Sequence, residues 1–162
     1  MIFIGIDPGL SGGIAVIDEL GIVQPDGVVK MPPTEADLLT FLGRFSAIKE
    51  GMQPRAVLER VSSSPQMGVV SAFTFGRGVG ALKMALVAES IPYDEVPPSK
   101  WQAAMSVLDK RAKGRLGKRD KNISKRRAQQ LFPRVTVTHA TADALLLAEY
   151  CRRTERARGG TR

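Results

Sequence analysis

Apolar and polar positions alternate from the first residues. Ile2, Ile4 and Ile6 fall on one face of an extended segment, and Phe3, Gly5 and Asp7 on the other. The Pro8-Gly9 pair then turns the chain, so this strand stops on an acid. Beyond Gly12-Gly13, residues 14–18 and 21–30 predict two more strands joined by tight turns, an antiparallel meander that Pro32-Pro33 ends. Thr34 followed three residues later by Asp37 predicts a helix cap, and Leu38, Phe41, Leu42 and Phe45 follow at i, i+3, i+4 and i+7. Residues 55–61 return to a buried strand carrying one acid, Glu59, on the face of Val57 and Val61.

The second half continues the alternation of strand and helix. Residues 69–90 have helical spacing, but Gly76, Gly78 and Gly80 would cost an isolated helix ~1 kcal/mol each relative to Ala. Close packing on a helix or on a second subunit is the expected compensation. Residues 91–96 predict a strand, Pro97-Pro98-Ser99 a stop and cap, and 100–107 a short helix with the single tryptophan, Trp101. A helix through Ala128, Leu131 and Phe132 closes at Pro133, and 135–138 is a brief extended piece. A last helix runs from about Thr141 through Tyr150 into an Arg-rich tail, 152–162. The pattern is that of an α/β chain, and its 162 residues suit one domain.

Composition narrows the function. Cys151 is the single cysteine, which excludes an internal disulfide and a Cys-rich zinc site and suits a packing residue. The apolar opening is too short for a signal peptide or a membrane span and is broken by Asp7, so a cytoplasmic protein is expected. The formal charge is +8, and residues 109–127 hold ten basic side chains against two acidic ones, the whole of the excess. One positive segment on an otherwise neutral chain favours a polyanionic partner over a generally basic surface. A solvated loop that aids solubility is the plainer alternative.

Three acids stand beside apolar residues and not on charged surfaces. They are Asp7 and Glu59 at strand ends and Asp143 at the start of the last helix. Each has an ordinary explanation: Asp7 can begin a turn, and an acid in a first helical turn suits the helix dipole. If the two strands are neighbours and the helix packs across them, the three carboxylates converge, and such a cluster persists around hard divalent cations. Two Mg²⁺ against three carboxylates suit a phosphodiester.

The runs Gly5-Ile6-Asp7-Pro8-Gly9, Leu58-Glu59 before a loop and helix, and Ala142-Asp143-Ala144-Leu145 resemble, in order, those of the RuvC family of Holliday-junction resolvases. The stretches Phe73-Thr74-Phe75-Gly76-Arg77-Gly78 and Gln129-Gln130-Leu131-Phe132-Pro133 are most similar to phage-type members, which would place the protein in the host cytoplasm. The resemblance implies an RNase H-like fold with a five-stranded mixed sheet flanked by helices. It implies a homodimer that cuts four-way and other branched DNA with two Mg²⁺ per site, Mn²⁺ substituting, without a nucleotide cofactor. Asp7, Glu59 and Asp143 would be the metal ligands.

Lys100, and Lys121 or Lys125, resemble family lysines near the scissile phosphate, although Ile123 stands where a lysine is expected. The resemblance also implies backbone contacts from the basic segment: Lys110, Arg111, Lys113, Arg115, Lys118, Arg119, Lys121, Lys125 and Arg126. Gln66, Met67 and Phe73 could press on unpaired bases at a junction centre, although helix packing suits Phe73 as well.

The chain departs from the family pattern three residues before Asp143, where Ala140 replaces an expected ligand. His139, the only histidine, precedes it and would share a face with Asp143 if both were helical, or would be solvated before the helix. Two rivals follow. An actin-like kinase also opens on a Gly-Ile-Asp strand, but it needs a second domain to close on ATP, and the chain has no Gly-x-x-x-x-Gly-Lys loop. A junction-binding protein without nuclease activity is the other, and Ala140 is its argument.

Overall fold

A computed structural model describes residues 1–49, 51–62, 66–108 and 121–159, with Lys121 described by its backbone alone. The elements in chain order are β1 (Ile2–Asp7), β2 (Gly13–Asp18), β3 (Val23–Lys30), α1 (Glu35–Gly43), β4 (Pro54–Glu59), α2 (Val69–Ala88), β5 (Tyr93–Val96), α3 (Pro98–Ala104), α4 (Lys121–Leu131) and α5 (Ala142–Gly159). The five strands form one mixed sheet in the order β3-β2-β1-β4-β5. β1–β2 and β2–β3 are antiparallel, whereas β4 runs parallel to β1 and β5 parallel to β4.

Strand alternation divides the apolar residues into two cores. Ile2, Ile4, Ile6, Ile14, Val16, Ala56 and Leu58 pack with α1 and α2, while Phe3, Ala15, Ile17 and Val57 pack with α3, α4 and α5. The α1 cap forms as the sequence predicts, with Thr34 Oγ1 accepting from the Asp37 amide at 3.1 Å. Its Leu38, Phe41 and Leu42 are buried.

α5 lies directly on β1, and Gly5 is the reason. A Cβ built on Gly5 would come 2.1 Å from the Ala148 amide nitrogen and 2.2 Å from the Ala144 carbonyl oxygen. The gap left by the missing side chain is therefore filled by helix backbone, and the small Ala144 and Ala148, one turn apart, permit the approach. From Ala142 to Cys151 every α5 residue is buried except Asp143, which is half-buried.

Residues 135–138, expected as a brief extended piece, lie outside the sheet. One expectation changes. Most of the expected Arg-rich tail is the end of α5, where Arg152 and Arg153 both bond to the buried Glu149 and Arg158 bonds to Asp94 and Glu155. Burial acts to raise the Glu149 pKa, but hydrogen bonds from the two guanidinium groups outweigh it and hold the carboxyl below its usual range. Cys151 is a packing residue, and burial pushes its thiol up to about 12.

Candidate active site

Asp7 closes β1 and Glu59 closes β4, the two central parallel strands. The pairing of Ile6 with Leu58 puts the two acids at the next position of the same register. Alternation places both on the face covered by α5, because Phe3 and Val57 belong to that core. The start of α5 lies at this end too. The Ala140 carbonyl lies against Gly13, which pairs with Asp7, whereas Cys151 Sγ, two turns further on, donates to the Arg55 carbonyl near the beginning of β4. Asp143, in the first turn of α5, is thereby brought to the carboxyl ends of β1 and β4. Topology gathers the three acids at one end of one face of the sheet.

Two of the acids, Asp7 and Glu59, are also anchored locally. Asp7 Oδ1 accepts a long 3.4 Å bond from the Gly9 amide, so its role in the turn is genuine but weak. Gly12 leaves room for this carboxyl, since a Cβ there would come 2.7 Å from Asp7 Cγ. Glu59 Oε1 accepts from the indole Nε1 of Trp101 at 2.8 Å, and Trp101 is fully buried. Sequence reading missed this partner. The signal available was the single tryptophan on a short helix after the strand next to Glu59.

The donor types suit a hard divalent cation, because carboxylate oxygens are what Mg²⁺ prefers. As they stand, no three His, Cys, Asp or Glu side chains among the described residues are close enough together to hold a metal ion. His139 is exposed in the turn before α5, which begins at Ala142, so the helical face it would share with Asp143 starts beyond it. Thr138 shapes that turn: its carbonyl accepts from the Ala142 amide at 3.0 Å, and its hydroxyl meets that of Thr141 at 3.0 Å.

The lysines divide. Lys100 is exposed on α3 beside Trp101 and lines a cavity of about 250 Å³ with Asp94, Glu95, Cys151 and Arg158. Lys125 is half-buried and Arg126 exposed on α4, and Arg127 Nε donates to the Met105 carbonyl at 3.2 Å. Lys121 begins the same helix. Lys110, Arg111, Lys113, Arg115, Lys118 and Arg119 lie outside the described residues. Gln66 is exposed and Met67 half-buried in the turn before α2.

Solved structures match along nearly the whole chain. The complex of Thermus thermophilus RuvC with a Holliday junction substrate has a TM-score of 0.65 at 21% identity, and the match covers 99% of this chain and 97% of that one. The fold is that of RuvC. A second Thermus thermophilus RuvC structure gives 0.63 at 22% identity, covering 99% and 98%. No protein-family model and no curated protein matches the sequence. At this identity the likeness establishes the RuvC architecture, and the chemistry must be argued from the residues that the architecture positions.

α2 carries the remaining surprise. Gly76, Gly78 and Gly80 have nothing within 4 Å of a built Cβ, so the close packing expected of them is not supplied from within the chain among the described residues. Val69, Phe73, Gly76, Gly80, Met84 and Val87 recur every three or four residues along an outward stripe, and Val69 is 86% and Phe73 73% exposed. This helix is long and apolar enough to cross a membrane by length and composition. Its other side instead buries Leu82, Ala85 and Leu86 on the sheet. Arg77 and Lys83 pair with Glu35 and Glu95.

Proposed function

We propose that this chain is a structure-selective endonuclease that binds four-way DNA junctions as a homodimer and hydrolyses phosphodiesters in them. The observation that carries the reading is the placement of Asp7, Glu59 and Asp143 at one end of one sheet face, in a chain with the RuvC fold from end to end. That one such RuvC structure holds a Holliday junction substrate supports branched DNA as the partner. Asp7, Glu59 and Asp143 would hold Mg²⁺, or Mn²⁺ in its place. The ions would supply an activated water and charge stabilisation at the leaving 3′ oxygen.

The rest of the chain has separate tasks. Lys100 and Lys125 are assigned to the phosphate near the cut, and the basic residues from Lys110 to Arg126 neutralise backbone charge and hold the arms. Gln66 and Met67, in the turn before α2, face the junction centre in this reading. The outward stripe of α2 is the dimer surface: small residues allow close approach and the apolar ones bury against a second copy. Two copies would present two carboxylate sites to two strands of a symmetric junction. Action on DNA by a chain with one buried thiol fits the cytoplasm, that of the host if the protein is phage-encoded.

A second reading, junction binding without cleavage, is favoured by Ala140 and by carboxylates that do not close as a group. A labelled four-way junction incubated with Mg²⁺ or Mn²⁺ separates the two. In the nuclease reading the protein cuts, and Asp7→Asn abolishes cutting while junction affinity is kept or rises, because a negative charge near phosphate is removed. If Asp7→Asn unfolds the protein or cuts as well as the parent, Asp7 is a structural turn residue and the site is misassigned.

A further inference from the structure

We infer that Trp101 is a positioning residue for Glu59. Its indole N–H fixes the carboxylate orientation in which Glu59 receives a cation, an inference that rests on the nuclease reading above. Trp101 is 0% exposed, in the core formed with Val96, Met105 and Phe132. A buried indole must place its N–H on an acceptor or incur the cost of an unmade hydrogen bond. A phenylalanine would supply most of the apolar contact in this core without that demand.

The acceptor chosen is not a nearby carbonyl but Glu59 Oε1, 42 residues away in sequence, at 2.8 Å. Glu59 is fixed from the other side by its strand. It pairs with Val96 of β5, and the Arg60 amide donates to the Val96 carbonyl at 2.7 Å. Only Pro97, Pro98, Ser99 and Lys100 separate Val96 from Trp101, and two prolines restrict that path. Backbone and side chain of Glu59 are thus held by two ends of one short, rigid segment. A neutral donor on one carboxylate oxygen sets the plane of the group while leaving its charge in place, as outer partners do for metal-ligating carboxylates.

The test uses Trp101 as its own reporter, because a single tryptophan gives a single indole resonance in a ¹⁵N-labelled protein. That resonance is expected to move in Glu59→Gln without metal, and to move on Mg²⁺ addition to the parent but not to Glu59→Gln. Trp101→Phe is expected to raise the Mg²⁺ concentration for half-maximal cleavage by about 10- to 100-fold. Its junction affinity in EDTA should equal the parent's. A folded Trp101→Phe protein with the parent's rate and Mg²⁺ dependence overturns the proposal, whatever the resonance does. If that variant does not fold, the resonance decides, and its indifference to Glu59→Gln or to Mg²⁺ is the overturning result. If the parent cuts no junction under any condition, the nuclease reading falls separately. The Mg²⁺ response of the indole then still tells whether Trp101 presents Glu59 to a cation.

Discussion

At position 140 the chain carries a methyl group three residues ahead of Asp143, with the carbonyl of that residue resting against Gly13, the strand partner of Asp7. A side chain at 140 therefore belongs to the end of the sheet where the acids gather. A fourth carboxylate there would bring more negative charge to two Mg²⁺ and tighten a site that three carboxylates hold less well. Ala140→Asp is expected to raise Mg²⁺-dependent junction cleavage on the order of tenfold or more. The parent, with three carboxylates alone, should cut only weakly in Mg²⁺. A parent that cuts rapidly in Mg²⁺, with Ala140→Asp adding nothing, would show that position 140 is no ligand. Gly5 makes a structural prediction at the same scale. Gly5→Ala drives a methyl into the α5 backbone, which cannot yield as a flexible side chain would, so it is expected to cost about 3 kcal/mol or more in urea unfolding. A Gly5→Ala protein as stable as the parent would mean that α5 does not rest on β1 as described.

At the scale of elements, what was legible in the sequence was what local rules govern. Thr34 and Asp37 are three residues apart, so their cap could be read directly, and the two faces of β1 follow from alternation alone. The positions of Asp7, Glu59 and Asp143 at the ends of elements were legible because the neighbours of each are apolar. The Glu59–Trp101 bond was not, since it depends on β5 pairing with β4 and on the angle at which Pro97 and Pro98 send the chain back. Nor was the end of α5, where arginines that look like a basic tail are tied to Glu149, Asp94 and Glu155. The glycines of α2 are the sharpest case. Propensity says they weaken the helix, and the open space around them means Ala would fit. Gly76→Ala with Gly80→Ala should therefore stabilise an isolated monomer by about 0.4–1 kcal/mol per site. If the stripe is the dimer surface, the same pair of methyl groups should weaken self-association, shifting sedimentation toward monomer at a given concentration. Greater stability with unchanged association would remove α2 as the interface.

At the scale of the whole molecule, the charge distribution separates holding DNA from cutting it. The entire net charge of +8 resides in residues 109–127, which run into the first seven residues of α4, while the acids proposed for the chemistry gather at the carboxyl ends of β1 and β4. A cation cluster of this kind binds by releasing counterions from phosphate, and that contribution falls steeply with salt, whereas carboxylates contribute repulsion and bring no affinity of their own. Two changes should then act independently. Replacing Lys110, Arg111 and Lys113 by Gln should reduce the slope of log affinity against log salt by about 0.9 for each phosphate no longer neutralised, with the Mg²⁺ requirement of cleavage at saturating protein unchanged. Asp7→Asn should abolish cleavage while leaving the slope as it was. An unchanged slope in the triple variant would make the segment a bystander to binding. A changed Mg²⁺ requirement at saturation would instead show that these residues reach the carboxylate site, so that binding and cutting share one constellation.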